Sequence, residues 1–99
     1  QAILLPISEK YENYTKKVLN VLENYEIRAL VDDRNEKTGK KIRDAEVAKI
    51  PYMIIIGEQE EREGVISVRK HGGEDLGKMT AKDFESLLSK EIKNTLQPF

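Results

Sequence analysis

The chain has 99 residues, with 17 Lys and Arg against 18 Asp and Glu, so its formal net charge is −1. This length fits one domain, and with no Cys and a single His the chain lacks the residues for disulfides, thiolate zinc sites or cysteine nucleophiles. A net charge near zero argues against a protein that coats nucleic acid non-specifically, although it leaves room for a local basic site.

The first half of the chain predicts two strand–helix units. Residues 2–7 are apolar enough for a buried strand, and Ser8 is a candidate N-cap for the helix that follows. That helix carries an apolar stripe at helical spacing: Tyr11, Tyr14, Val18, Val21, Leu22 and Tyr25. Residues 27–31 predict a second strand, and the polar residues 32–35 predict the loop at its carboxyl end.

A second helix is predicted to begin near Thr38 and to end near Ile50, because the residue before a proline avoids the helical region. Its inward residues are expected to be Ile42, Ala45 and Ala48. Residues 51–57 then form an apolar run without a polar interruption, which is typical of a central parallel strand covered on both faces. This strand should be the most buried element of the fold.

The rest of the chain predicts a hairpin and a closing helix. The six polar residues 58–63 are too few for a parallel crossover, so they are predicted to be the loop of an antiparallel hairpin whose second strand covers 65–69. A turn at 71–73 and a short edge strand at 74–79 follow. Thr80 then opens a helix with four inward residues: Phe84, Leu87, Leu88 and Ile92.

This order predicts the fold class α/β, with residues 1–99 as one domain. The elements βαβαβ, then a hairpin and a helix, indicate a three-layer α/β/α architecture with a mixed five-stranded sheet and three helices. The chain opens on Gln1 without an initiator Met, so we interpret it as a domain of a longer protein. Its longest apolar run, 53–56, is far short of the roughly 20 residues that a membrane span requires, so we expect a soluble, cytoplasmic chain without a membrane partner.

Motifs for several enzyme classes do not fit this sequence. Gly39-Lys40-Lys41 lacks the upstream glycine and the Ser or Thr of a phosphate-binding P-loop, and Gly72, Gly73 and Gly77 do not match a dinucleotide fingerprint. His71 lies between strands beside two glycines and has no assignable nucleophile or acid. We therefore predict no catalytic residues in the chain.

Basic residues are concentrated at the start of the second helix. Between positions 34 and 49 there are six of them, Arg34, Lys37, Lys40, Lys41, Arg43 and Lys49, against three acids. Loops at the carboxyl ends of parallel strands are where open α/β sheets bind ligands, and a helix amino end suits phosphate. The same pattern also fits an ordinary solvated helix face, so the basic run alone does not decide between the two.

A second candidate group consists of Glu60 with Arg69 and Lys70. Arg can contact the O6 and N7 edge of guanine, and a carboxylate can accept from base N–H groups, so these residue types could read an unpaired base. They could equally form a surface ion pair. If the fourth strand is straight, Arg69 lies roughly 13 to 16 Å from the hairpin tip, so the two side chains need not reach the same base.

Specific segments of the sequence resemble the C-terminal anticodon-binding domain of threonyl-tRNA synthetases, a domain type of class II synthetases. The segments are Asp33-Arg34-Asn35-Glu36-Lys37, Gly39, Lys41-Ile42-Arg43, Ile50-Pro51-Tyr52-Met53, Gly57, Ser67-Val68-Arg69 and Gly73-Glu74-Asp75-Leu76-Gly77. They occur in order across nearly the whole chain. The family fold, a mixed five-stranded sheet with three helices, agrees with the predicted order of elements.

The resemblance implies a set of RNA-binding residues. Asn35, Glu60 and Arg69 match positions that contact anticodon bases, and the supporting residues are Arg34, Lys41, Arg43 and Lys70. It also implies that the anticodon stem-loop of threonine tRNA and the catalytic domain of the same chain are partners, and that the parent enzyme is a homodimer. No DNA partner is expected.

The implied parent enzyme attaches threonine to its tRNA. ATP, magnesium and zinc are expected only in its catalytic domain, with no metal or cofactor in these 99 residues. Two alternatives stay open, namely the same domain from a prolyl-, histidyl- or glycyl-type synthetase and a flavodoxin-like domain that binds a small ligand or a protein.

Overall fold

Five strands form one mixed sheet, as the sequence predicts. The computed structural model describes the backbone of residues 1–96 and the side chains of residues 1–91. The strands are β1 (Ala2–Pro6), β2 (Ala29–Val31), β3 (Tyr52–Ile56), β4 (Ile66–Lys70) and β5 (Glu74–Met79). Their order in the sheet is β2-β1-β3-β4-β5; β1 is parallel to β2 and β3, while β4 is antiparallel to β3 and β5.

Helices cover both faces of the sheet and complete the predicted three layers. They are α1 (Glu12–Asn24), α2 (Thr38–Val47), α3 (Glu58–Glu63) and α4 (Ala81–Leu96), with a 3₁₀ turn at Glu9–Tyr11 before α1. The larger core cluster joins the sheet to α1 and α4; its fully buried large side chains are Leu4, Leu22, Ile54, Ile56, Ile66, Val68 and Phe84. On the opposite face, Leu5 and Met53 pack against Ala45 of α2.

The predicted count of three helices is wrong by one, because residues 58–63 form helix α3 and not a hairpin loop. The strands on either side are antiparallel as predicted. The segment has no apolar stripe, but it carries three acids in its first turn, which favour a helix amino end. Gly64, with φ of +69°, supplies the left-handed residue that ends many helices.

Element ends also differ from the prediction at several places. The second strand begins at Ala29, although Ile27 before it is buried. Val21 and Tyr25 are each 39% exposed: the buried residues of α1 are Thr15, Val18 and Leu22, and Tyr25 follows the last residue of the helix. Ala48 is exposed as the cap that follows α2. The side chain of Ile92 lies outside the described residues.

The two edge strands are irregular. β2 has three residues, and Leu30 on it is 66% exposed. At the other edge, the pairing of β4 with β5 shifts register between Val68 and Arg69, so that Val68 faces Gly77 while Arg69 faces Asp75. Gly77 has φ of +82°, which favours glycine at this bulge.

Among residues 1–96, no helix has both the length and the apolar character needed to cross a membrane.

Candidate nucleic-acid interface

The loop after β2 is fixed to the sheet by backbone hydrogen bonds. The Asp32 N–H donates to the Leu4 carbonyl at 2.9 Å, which continues the pairing of β2 with β1 by one residue. Asp32 Oδ1 then accepts from the Arg34 backbone N–H at 3.2 Å, as in an Asx turn. Asn35, the next residue, is exposed, and the turn before it fixes the position of its backbone.

Lys41, predicted to support RNA binding, lies in the interior. Only 4% of the residue is exposed, and its ammonium donates to the carbonyls of Pro6 at 3.1 Å and Asp32 at 3.0 Å. A buried ammonium is tolerated only where hydrogen bonds replace its lost hydration. Lys41 therefore joins the carboxyl end of β1 to the loop that presents Arg34 and Asn35, and its ammonium is not on the surface.

Arg34 is exposed, but its guanidinium is engaged by two carboxylates. It contacts Asp32 at 2.8 Å and Asp44 at 2.9 Å, and Lys40 also contacts Asp44 at 3.0 Å. The Arg34 hydrogen bond is the main cause that lowers the pKa of Asp32 below its ordinary value. Two of the six basic residues between positions 34 and 49, Arg34 and Lys40, are thus already paired with acids.

We expect Arg34→Ala to raise the pKa of the Asp32 carboxyl toward its ordinary value, because the largest favourable contact of the ionised form is removed. A lowered folded-state pKa stabilises the fold above the unfolded-state pKa, and this contribution is lost as the pH falls through the folded value. NMR titration of the Asp32 side-chain carboxyl measures the change. An unchanged pKa in the variant would contradict the assigned cause, and Arg62→Ala, at an exposed ion pair on α3, is the control.

Four polar side chains near α2 are exposed and form no hydrogen bond or ion pair within the described part of the chain. They are Asn35, Lys37, Arg43 and Lys49. Of these, Asn35 and Arg43 were predicted from the resemblance to contact RNA. Their polar groups are available to a ligand without first breaking a contact inside the protein.

Glu60 is a buried residue of α3, not part of a polar loop. Its Oε1 accepts from the Gly57 N–H at 2.8 Å, and its Oε2 accepts from the Ser67 hydroxyl at 2.9 Å. The first contact caps the amino end of α3. The helix folds the connection back against β4, and Glu60 therefore reaches Ser67 on this inner strand instead of projecting from a hairpin tip.

Arg69 lies two residues after Ser67 on β4, so both side chains are on the same face of the sheet. The alternate residues Ile66 and Val68 are buried against α1 and α4, so Ser67 and Arg69 face the side that α2 covers. Successive residues on one face are about 7 Å apart. The sequence-based distance of roughly 13 to 16 Å was measured to a hairpin tip, and it does not apply to Glu60, because Glu60 reaches Ser67 through α3.

The Arg69 guanidinium has no partner within the described residues. Its Nε is buried without a hydrogen bond, and it forms no ion pair with Glu60 or another described acid. The alternative of a surface ion pair between Glu60 and Arg69 is thus wrong. A buried N–H without a partner costs free energy and is uncommon in folded proteins.

The side chain of Lys70, the fourth supporting residue, does not lie beside that of Arg69. Its ammonium contacts Glu91 of α4 at 3.3 Å, on the opposite face of the sheet. Glu91 also accepts from the Tyr52 hydroxyl, and the pKa of Tyr52 is raised above its ordinary value by burial and by this contact.

The turn between β4 and β5 forms hydrogen bonds with α2. The His71 Nε2 lies 3.1 Å from the Glu46 carbonyl, and the Gly72 N–H donates to the Glu46 carboxylate at 3.2 Å. Arg43 lies one helical turn before Glu46 and so shares this side of α2. We define the α2–β4 groove by Arg43 and Glu46 on α2, Ser67 and Arg69 on β4, and Glu60 on α3.

Sequence reasoning missed Ser67 and Glu46 as parts of this groove. Ser67 could have been found from the strand alternation, since it shares a face with Arg69. Glu46 had no such signal, because its contacts depend on the turn after β4.

Two other features of the described residues concern a metal site and a cleft. Within residues 1–96, His, Asp and Glu form no cluster that could hold a metal ion. An open cleft of about 620 Å³ lies at the amino ends of β1 and β2, lined by Gln1, Glu23, Glu26, Ile27, Arg28, Ala29 and Leu30. None of the predicted RNA-binding residues lines it.

Comparison with known proteins agrees with this geometry. Residues 1–91 match the family model described as "Anticodon binding domain". The chain is 60% and 54% identical to the proteins named threonine–tRNA ligase of Flavobacterium johnsoniae and Flavobacterium psychrophilum, over 100% of this chain and 16% of each relative. It thus spans about a sixth of the length of these curated relatives.

A solved structure shows the same arrangement of elements. The crystal structure of the RNA binding domain of threonyl-tRNA synthetase from Cryptosporidium parvum Iowa II superposes with a TM-score of 0.82, at 29% identity over 91% of this chain and 23% of that chain. The family match and the shared fold lead to one conclusion: the chain belongs to the anticodon-binding domain family.

Proposed function

We propose that this chain recognises the anticodon loop of threonine tRNA as part of a threonine–tRNA ligase. Relatives named threonine–tRNA ligase match 97 to 100% of the chain at 46 to 60% identity. This favours the threonine enzyme over the prolyl-, histidyl- or glycyl-type alternatives. The fold match to a synthetase RNA-binding domain likewise favours RNA recognition over a flavodoxin-like ligand site.

The structural observation that carries the proposal is the Arg69 guanidinium. Its Nε is buried in the α2–β4 groove without a partner, while Arg34 and Lys40 are already paired with acids. Threonine anticodons have G at the second position and U at the third. A guanidinium matches the O6 and N7 acceptors of guanine in a bidentate contact. The two terminal nitrogens of Arg69, which have no partner within the described residues, would make this contact.

Except for Lys70, the remaining site residues either contact the RNA directly or support the residues that do. Asn35 and Glu60 contact anticodon bases with Arg69, and Arg43, exposed on the groove side of α2, contacts bases or phosphates. Arg34 supports the loop that presents Asn35, and Lys41 supports it from below. Lys70, which contacts Glu91 on the opposite face of the sheet, has no role at the groove in this proposal.

In this proposal, the catalytic function belongs to another domain of the parent protein. Residues 1–99 are one domain of a homodimeric, cytoplasmic enzyme whose catalytic domain binds ATP, magnesium and zinc and transfers threonine to the tRNA. This chain has no DNA or membrane partner in that role.

Arg69→Ala tests the proposal. We expect the variant to lose about 1 to 3 kcal/mol of affinity for a threonine anticodon stem-loop, and much less for a stem-loop with A at the second anticodon position. Fluorescence titration with both RNAs measures the two losses at one salt concentration. Arg28→Ala, at an exposed arginine beside the cleft and next to β2, which β1 and β3 separate from β4, is the matched control and should bind as wild type.

Two results would reject parts of the proposal. An equal loss on both RNAs would make Arg69 a phosphate contact, which carries no sequence information. Wild-type protein that bound a proline anticodon stem-loop as tightly as the threonine one would exclude threonine specificity.

A further inference from the structure

We infer that Ser67 is a positioning residue for base recognition, acting through the Glu60 carboxylate. The inference rests on the proposed function, because it assigns Ser67 a role at the same groove. Neither the sequence analysis nor the resemblance singled out the Ser67 side chain.

The Glu60 carboxylate is held by a donor on each of its oxygens. Gly57 donates its backbone N–H to Oε1, and the Ser67 hydroxyl donates to Oε2. A Cβ added at Gly57 would lie 3.1 Å from Oε1, so the carboxylate fits closely against this backbone. With one donor fixed on each oxygen, the plane of the carboxylate is set by the protein before any ligand arrives.

Such a fixed carboxylate suits the recognition of a base. Each carboxylate oxygen has two lone-pair directions, and the protein uses one on each, which leaves acceptor capacity for the N–H groups of a base edge. Preorganisation matters here, because a side chain that is already immobilised loses little conformational freedom on binding. Ser67 supplies the one contact of this pair that a side-chain substitution can remove.

The neighbouring cation does not replace Ser67. Lys78 faces Ser67 in the β4–β5 pair, but its ammonium contacts Gln59 at 2.8 Å and Glu63 at 3.1 Å. These contacts bind the outer side of α3 to β5. Within the described residues, the donors to the Glu60 carboxylate are therefore Gly57 and Ser67.

Ser67 lies close to both groove residues that are proposed to contact bases, Glu60 and Arg69. It lies two residues before Arg69 on the same face of β4 and holds Glu60 through a 2.9 Å hydrogen bond. Removing its hydroxyl leaves the Glu60 side chain attached to Gly57 alone and free to rotate about that contact. The loss should fall on the anticodon position that Glu60 reads.

The experiment uses the 99-residue chain and a panel of threonine anticodon stem-loops in which each anticodon position is changed in turn. Wild type, Ser67→Ala, Ser67→Thr, Glu60→Gln and the double variant Ser67→Ala/Glu60→Gln are titrated, at a temperature at which circular dichroism shows each to be folded. Ser89→Ala is the matched control, because it removes the same kind of hydrogen bond, from Ser89 to Glu85 at 2.9 Å, on α4.

We expect Ser67→Ala to weaken binding of the threonine stem-loop about three- to tenfold and to reduce discrimination at the same anticodon position as Glu60→Gln. Ser67→Thr keeps the hydroxyl and should restore discrimination. In the Glu60→Gln background, Ser67→Ala should change affinity less than about twofold, because a residue that acts through Glu60 has nothing left to position.

Contrary outcomes separate the inference from the proposed function. Additive losses in the double variant, an equal loss on every stem-loop, or wild-type binding by Ser67→Ala beside an impaired Glu60→Gln would overturn the role of Ser67 alone. Wild-type binding by Glu60→Gln would overturn both the Glu60 contact and the inference. Failure of the wild-type chain to distinguish threonine stem-loops from the changed ones would reject the proposed function itself.

Discussion

Replacing Lys41 with methionine is expected to lower the free energy of unfolding by about 2 to 4 kcal/mol. The ammonium donates to two carbonyls, those of Pro6 and Asp32, inside a site where the residue is 4% exposed. Methionine keeps most of the volume but leaves both acceptors without their charged donor. Relief from burying a charge offsets part of this loss, so the expected cost is below the sum of two charged hydrogen bonds.

Urea unfolding followed by circular dichroism measures this change, and Lys40→Met provides a matched control. Lys40 is the preceding residue, but its ammonium is exposed and contacts Asp44, so its replacement should cost less than about 1 kcal/mol. Lys41→Met should also shift the amide NMR signals of residues 32–35, since the loop loses its contact with the ammonium. Equal costs for the two variants would contradict the structural role of Lys41.

Phe84→Ala is expected to have the largest effect on stability, about 3 to 5 kcal/mol. The ring is 0% exposed in the larger core cluster and meets Tyr52 edge to face, with centroids 5.4 Å apart and an interplanar angle of 79°. Alanine would remove the apolar contacts of the ring, leave a cavity between α4 and the sheet, and lose the aromatic pair. For a chain of this length, that cost is a large part of a typical total stability.

Denaturant melts measure the change as a lower midpoint with an unchanged slope. Ser86→Ala, on the exposed side of the same helix, should change stability by less than about 0.5 kcal/mol. A Phe84→Ala midpoint close to that of Ser86→Ala would show that α4 does not contribute its ring to the core.

The sheet could be predicted because its strands have a distinct composition. Residues 52–56 are apolar without interruption, and the structure buries them at the centre of the sheet between β1 and β4. The antiparallel pairing of β4 followed from the short connection alone. Both arguments depend on chain length and burial, which a sequence displays directly.

Helix α3 could not be predicted from periodicity, because six polar residues have no apolar stripe. Its signals were instead at its ends: an acid three residues after Gly57 and Gly64 directly after the last turn. Reading residues 58–63 as a loop also placed Glu60 at a distance from Arg69. The capping residues at the two ends of this short polar segment therefore indicate a helix, whereas its length alone suggested a loop.

The types of residue in the candidate site could be predicted from the sequence, but their burial and their side-chain contacts could not. Lys41 looked like a surface cation, although its spacing of four from buried Ala45 places both on the inner face of α2. The pairing of Arg34 with Asp32 and Asp44 also depends on three-dimensional contacts that composition does not reveal. Which cations are free for a ligand thus became known only from the structure.

The irregular edges of the sheet affect how the domain behaves at high concentration. β2 offers three residues for further pairing, and β5 is interrupted by a bulge at Gly77 and carries Glu74, Asp75 and Lys78. Short, charged or bulged edges are poor templates for another strand. An open five-stranded sheet with such edges therefore resists edge-to-edge aggregation with copies of itself.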